Sequence, residues 1–336
     1  MKNMQLSRIN INPLTNEITT DNGEKVLLQI NGAPVERAEI MNLKSKDIIR
    51  VEYSDQPSVR YQAGAVINYV VRKREKGGYI MANLTLWEQV KEWKSGQYKW
   101  VDLTHELSPE TPHWYGFKPL QADLLFDYVE GTPDDMMAPM RCIQYSVASQ
   151  YGTHTDVPRH FWGNGRAMND ITVKELMYPL VVIDKSAECA ANPDFMLTVD
   201  DLKAWEAQYG RIPEGAFVAF RSDWYKKPNL DNPDENGVPH YPGWDKAAIQ
   251  WLVEERNIGA IGHEPADTDP GFVTTKEGAY PYPGEQYILE VDRIQVEVMR
   301  NLDQVPPVGS VIVLGFPKLK DGTGFPTRCF AICPVE

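Results

Sequence analysis

Cysteine is scarce in this sequence. The four present (Cys142, Cys189, Cys329 and Cys333) are scattered and not spaced as two metal-binding pairs. That excludes a cysteine zinc site and a disulfide scaffold, and a reduced, cytoplasmic setting is expected. Long apolar runs are missing too. One of the longest, residues 308–316, is far short of the roughly 20 residues of a membrane span, so no membrane partner is expected. The first six residues lack the apolar stretch of a secretory signal, so none is expected. Basic charge is in the minority, 34 Lys and Arg against 47 Asp and Glu, for a net charge of −13. An acidic surface repels phosphate, which argues against nucleic acid. Histidine is also sparse, with six in the whole chain.

What is there reads as an ordinary globular composition, 42% hydrophobic and 24% charged, in a chain long enough for about two domains. The charge is uneven: residues 1–80 carry 12 Lys and Arg against 9 Asp and Glu, so the acidic excess lies entirely beyond them. The shift marks a boundary near Gly77-Gly78, dividing 1–80 from 81–336. In the first part, strands are expected at 25–30, 48–53 and 65–73, the first ended by the turn pair Asn31-Gly32, with a short helix over 36–43. This makes a small β-rich, α+β extension. Beyond it, a helix is expected at 84–93 and a strand at 100–107. A helix capped by Thr198 and stopped at Gly210 follows, then another over 245–255. Short apolar runs at 180–183, 216–220, 258–261, 311–314 and 329–332 alternate with these helices, which is an α/β pattern.

Two of the six histidines, His154 and His160, stand six residues apart with Asp156 between them. In an extended chain alternate side chains share a face, so Gln150, His154, Asp156 and His160 can converge. Gly152 permits a tight backbone there and Pro158 stiffens it. Imidazole and carboxylate on one face outline a metal site. The same spacing also suits polar residues on a solvated edge strand.

The segment Ser149-Gln150-Tyr151-Gly152-Thr153-His154-Thr155-Asp156-Val157-Pro158-Arg159-His160-Phe161 resembles the H-x-G-T-H-x-D-x-P-x-H-F signature of the cyclase family, the kynurenine formamidase- and isatin hydrolase-like metal-dependent hydrolases. Val101-Asp102-Leu103-Thr104-His105, Val296-Glu297 with Asn301-Leu302, and Gly322 to Arg328 fit further family segments in order. The resemblance covers about 95–335. It implies a swivelling β/β/α domain and a homo-oligomer, dimer or tetramer. Residues 1–80 carry a second resemblance, to the plug of TonB-dependent receptors, through 47–52, 57–61 and 64–68.

By this resemblance the metal ligands are His154, Asp156 and Glu297, with Glu285 a further one. Glu285 and Gln150 stand where the family has histidine. Gln150, a poor ligand, is expected to reach the metal only through a water. Oxygen donors favour harder ions, so the cofactor expected is a divalent metal, Mn²⁺ or Zn²⁺, with Mg²⁺ a third candidate, as one ion with a second as the weaker alternative. A divalent ion lowers the pKa of its water towards about 7 and polarises a carbonyl. His160 is then the general acid/base. The reaction expected is hydrolysis of an amide or lactone bond in a small cyclic or aryl substrate. The alternative is a metal-poor, catalytically altered homologue that binds a small molecule without turnover. Trp114 and Tyr115 either stack on a flat substrate or pack in the structure. His263 and Glu264 either line the pocket or, for Glu264, pair with Arg221 or Arg328. A rigid loop over 280–284 is expected to present Glu285.

Overall fold

The computed structural model describes residues 9–11, 18–35, 40, 43, 48–54, 65–71, 73–75, 78–80, 85–128 and 140–335. The chain divides into two compact units, Met1–Glu92 and Trp93–Glu336. In the first unit a four-stranded sheet runs in the order Ala33–Pro34, Val26–Ile30, Ala65–Val71, Ile48–Ser54. Its small core is Val26, Leu28, Ala65 and Ile67. The helix expected over 36–43 falls largely outside the described residues.

The second unit is built on a nine-stranded mixed sheet. Its order is Gly324–Pro326, His154–Asp156, Ile294–Glu297, Ala260–His263, Phe217–Arg221, Met177–Asp184, Ser310–Gly315, Arg328–Pro334 and Tyr98–Asp102. The four strands from Ile294–Glu297 to Met177–Asp184 are mutually parallel, and the rest pair antiparallel. Three of the parallel strands carry apolar runs, at 180–183, 217–220 and 260–262, because both of their faces are covered. Leu180 and Val182 turn to one face, into a core with Leu103, Phe217, Val296 and Ile312. Val181 and Ile183 turn to the other, against Leu202, Trp205, Leu252 and Ile288 of the helices. Strands from both ends of the sheet contribute to the first core, so the sheet curls round it.

Helix Val199–Tyr209 is closed at its start by a capping box, in which Asp201 N donates to Thr198 Oγ1 at 3.4 Å and Thr198 N to Asp201 Oδ2 at 2.9 Å. Asp245 caps Lys246–Arg256, and Asn257, at φ 49°, ends it in the left-handed region. Among the described residues no helix is long and apolar enough to cross a membrane.

Candidate metal centre

The strand His154–Asp156 is three residues long and fully buried, between Ile294–Glu297 and Gly324–Pro326. Register sets the chemistry. His154 lies opposite Glu297, and Asp156 opposite Gln295. Opposite residues of an antiparallel pair share a face, so ligands distant in sequence meet. His154 Nε2 lies 3.2 Å from Asp156 Oδ2 and 3.4 Å from Glu297 Oε2. Gly152, at φ 64°, turns the chain so that its carbonyl lies 2.9 Å from His154 Nδ1. A carbonyl only accepts, so Nδ1 carries a proton, and Nε2 is the ring nitrogen that faces the two carboxylates and can offer a lone pair when the ring is neutral. Gly324 is needed for close approach: a Cβ there would come within 2.7 Å of Asp156 Oδ1.

His160 is not on the strand. Val157 is extended, and Pro158 then starts the 3-10 turn Pro158–His160, because its fixed φ suits a first helical position. This turn brings His160 Nε2 to 3.9 Å from Glu285 Oε1, with its side chain still 29% exposed. Glu285 does not follow a free loop. It lies in the first turn of helix Pro283–Glu290, whose Gly284 and Glu285 N–H groups donate to Asp269 at 2.9 and 3.0 Å.

Acid is concentrated around these groups. Burial, then the charges of Glu297 and Asp156, push the Glu285 carboxyl well above its ordinary range. Burial and Glu297 push Asp267 up to about 7; burial pushes Asp269 up to about 6. Burial lowers the His154 imidazole, but Asp156 and Glu297 outweigh it, and the net shift is well upward.

The residues fit a divalent cation. His154 Nε2 is buried and makes no hydrogen bond, although two carboxylate oxygens face it. One ligand atom each from His154, Asp156 and Glu297 falls within 4.8 Å of the others, and the same holds for Asp156, His160 and Glu285. One imidazole nitrogen with carboxylate oxygens is a donor set that suits Mn²⁺ and Zn²⁺.

A cavity of about 220 Å³ opens on this cluster, floored by His154, His160, Glu285, Glu297 and Gln150 and walled by Trp114, Phe117, Phe161 and Tyr282. A larger cavity, about 710 Å³, lies beside Arg300 and Arg328 and holds none of these ligands.

The residues matched by the Cyclase family model are 101–270, half of the chain. The chain belongs to the cyclase family. Among curated members it is 33% identical to isatin hydrolase of Roseibium aggregatum over 71% of this chain and 94% of that one. It is 22% identical to kynurenine formamidase of Bacillus anthracis, over 68% and 95%. A crystal structure of an isatin hydrolase bound to the product analogue thioisatinate superposes with a TM-score of 0.67 at 29% identity, covering 75% of this chain and all of that one. The comparisons do not bear out a receptor plug in residues 1–80.

In this cyclase-family chain several expectations need correction. Gln150 turns its amide nitrogen to Asp156 Oδ1, at 3.3 Å, because Ser149 Oγ donates to its oxygen. An amide N–H cannot ligate a cation, so Gln150 braces Asp156 instead. His263 and Glu264 are not among the residues that line the cavity, and both are completely buried. Glu264 Oε2 accepts from Ser222 N, Ser222 Oγ and Trp224 N, while Arg221 pairs with Asp184 and Asp223, and Arg328 with Asp102. Trp114 lines the cavity, whereas Tyr115 is 76% exposed and packs against Trp114.

Gln295 escaped the sequence reading. Its amide nitrogen lies 3.2, 3.0 and 3.1 Å from Asp156, Glu285 and Glu297. Strand alternation from Glu297 would have pointed to it. Asp267 was missed as well; it reaches the cavity and accepts a short hydrogen bond from Tyr241.

Proposed function

We propose that the chain is a metal-dependent hydrolase that cleaves an amide or lactone bond in a small cyclic or aryl substrate. The observation that carries the reading is the buried His154 Nε2, without a hydrogen-bond partner and facing Asp156 and Glu297 across a short gap. The curated relatives, named isatin hydrolase and kynurenine formamidase, support the class of bond. His154, Asp156 and Glu297 would hold the ion, with Glu285 as a further ligand. A divalent ion held there acidifies a water and polarises the scissile carbonyl.

The chain's own groups do the rest. His160 sits at the cavity with part of its ring exposed, so its Nε2 can take a proton from water and return it to the leaving amine or alkoxide. Trp114, Phe117 and Phe161 offer aromatic faces to a flat ring. Gln295 and Gln150 brace the ligand carboxylates, which limits their rotation.

The reading includes a swivelling β/β/α hydrolase domain within 81–336, with its compact unit starting at Trp93, and 1–80 as an extension outside it. It also includes a homo-oligomer. The two-stranded ribbon of Gln121–Phe126 and Cys142–Ser146 supports self-association, because Leu124, Leu125, Phe126 and Tyr145 are about half exposed or more. The free thiols agree with a cytoplasmic setting.

The test is hydrolysis of a panel of isatins, aryl formamides and lactones by protein loaded with Mn²⁺ or Zn²⁺. Turnover of one class is expected. Protein that takes up little or no metal and binds without turnover across the panel would replace the hydrolase with the metal-poor, catalytically altered homologue, the outcome that the departures at Gln150 and Glu285 would then explain.

A further inference from the structure

Glu297 has two carboxylate oxygens in different company. Oε2 faces His154. Oε1 lies near three donors: His263 Nε2 at 3.2 Å, Gln295 Nε2 at 3.1 Å and Thr268 Oγ1 at 3.2 Å. The three are not equivalent. A hydroxyl has one proton, and Thr268 Oγ1 lies nearer to Gln295 Oε1, at 2.7 Å. A primary amide has two N–H groups, and Gln295 must share them among Glu297, Asp156 and Glu285. His263 Nε2 has no other acceptor within reach among the described residues.

The other ring nitrogen determines where the His263 proton sits. Trp244 Nε1 lies 3.4 Å from His263 Nδ1. An indole N–H only donates, so Nδ1 accepts and the proton of the neutral ring is on Nε2. Trp244 and His263 are both fully buried, so water does not compete for either bond.

We propose that His263 is a positioning residue: with its tautomer set by Trp244, it occupies Glu297 Oε1 and leaves Oε2 as the single ligand oxygen turned towards His154 and Asp156. This rests on the metal-centre reading, because the function of the arrangement is to hold a ligand still. Without the donor, Glu297 can rotate, and part of the ion's binding energy goes into ordering it.

Two measurements on the full-length chain test it. Long-range proton–nitrogen NMR of isotope-labelled, metal-free protein reads the tautomer, with the signal assigned by its loss in His263→Gln. An Nε2–H tautomer is expected at neutral pH, weakened in Trp244→Phe. An Nδ1–H tautomer with no proton on Nε2 in the wild type overturns the proposal.

Calorimetry with Mn²⁺ and Zn²⁺ then reads affinity. His263→Leu is expected to raise Kd by about 10- to 100-fold. His263→Gln, whose amide nitrogen can stand in for Nε2, is expected to recover most of that loss. A folded Leu variant that binds like wild type overturns the proposal. If Leu fails to fold, a Gln variant with wild-type affinity supports the proposal, and one weakened by the full factor overturns it. A wild-type chain that binds neither ion overturns the metal reading instead, and the tautomer signal still decides whether Trp244 and His263 are arranged as described.

Discussion

His154 and Glu297 face each other across an antiparallel strand pair, with Nε2 3.4 Å from Oε2 and no hydrogen bond between them. The ring's other nitrogen, Nδ1, donates to the Gly152 carbonyl, so Nε2 is the atom left to face the carboxylates. An imidazole nitrogen gathered so closely with buried carboxylates favours positive charge between them, which a divalent ion supplies once it displaces the proton.

Metal content should therefore follow His154 and Asp156. Wild-type protein is expected to hold about one equivalent of Mn²⁺ or Zn²⁺, and His154→Ala or Asp156→Ala to fall below about a tenth of that after dialysis. Affinity should drop as the solution is acidified, because Asp156 and Glu297 raise the proton affinity of His154 despite its burial, and the proton competes for the same lone pair. Elemental analysis and titration at two pH values check both points. Unchanged metal in either variant would count against the ligand assignment.

His160→Ala should separate binding from turnover. His160 touches the cavity from its 3-10 turn and, unlike His154, Asp156 and Glu297, is only partly buried. The variant is expected to keep its metal and to lose about 10²- to 10⁴-fold in kcat. Near-wild-type turnover would remove the acid/base role.

The carboxyl of Glu264 provides a prediction about stability. Burial and the charge of Asp223 push it up to about 8, against the donors of Ser222 and Trp224. An unfolded glutamate titrates near about 4.3. Between those values the folded chain keeps a proton that the unfolded chain has released, so stability falls as pH rises through the window. Glu264→Gln lacks this titration. Its stability relative to wild type is expected to rise with pH by up to about 1.4 kcal/mol per unit. Urea unfolding across the window measures the difference, and a constant offset would show that Glu264 does not titrate there.

Removing the first eighty residues should leave the chemistry alone. Every residue of the metal cluster and its cavity lies in the unit Trp93–Glu336. A chain that begins at Met81 is expected to match the full chain in kcat/KM and in metal content. A large loss in both would tie the extension to the site.

Some of this was legible in short stretches of sequence. The pairing of Thr198 with Asp201, the stop at Gly210 and the turn at Asn31-Gly32 are local chemistry, settled within a few residues. The segment from Gly152 to His160 likewise announces imidazole and carboxylate on a tight backbone. Its even-numbered spacing was only part of the answer. Pro158 breaks the strand, and His160 returns to the cluster by a 3-10 turn instead of by alternation.

By itself, then, the sequence determined the kind of donors available, the α/β alternation and the local caps, because propensity, capping and strand periodicity act between near neighbours. Only the tertiary structure decided which donors meet. Glu297 and Gln295 reach His154 and Asp156 through the register of strands far apart in the chain, and Asp269 seats Glu285 by capping a distant helix. The burial of His263 and Glu264 was decided at the same level. Whether a polar side chain faces a cavity or the interior depends on the packing of the whole core, and no local pattern encodes that.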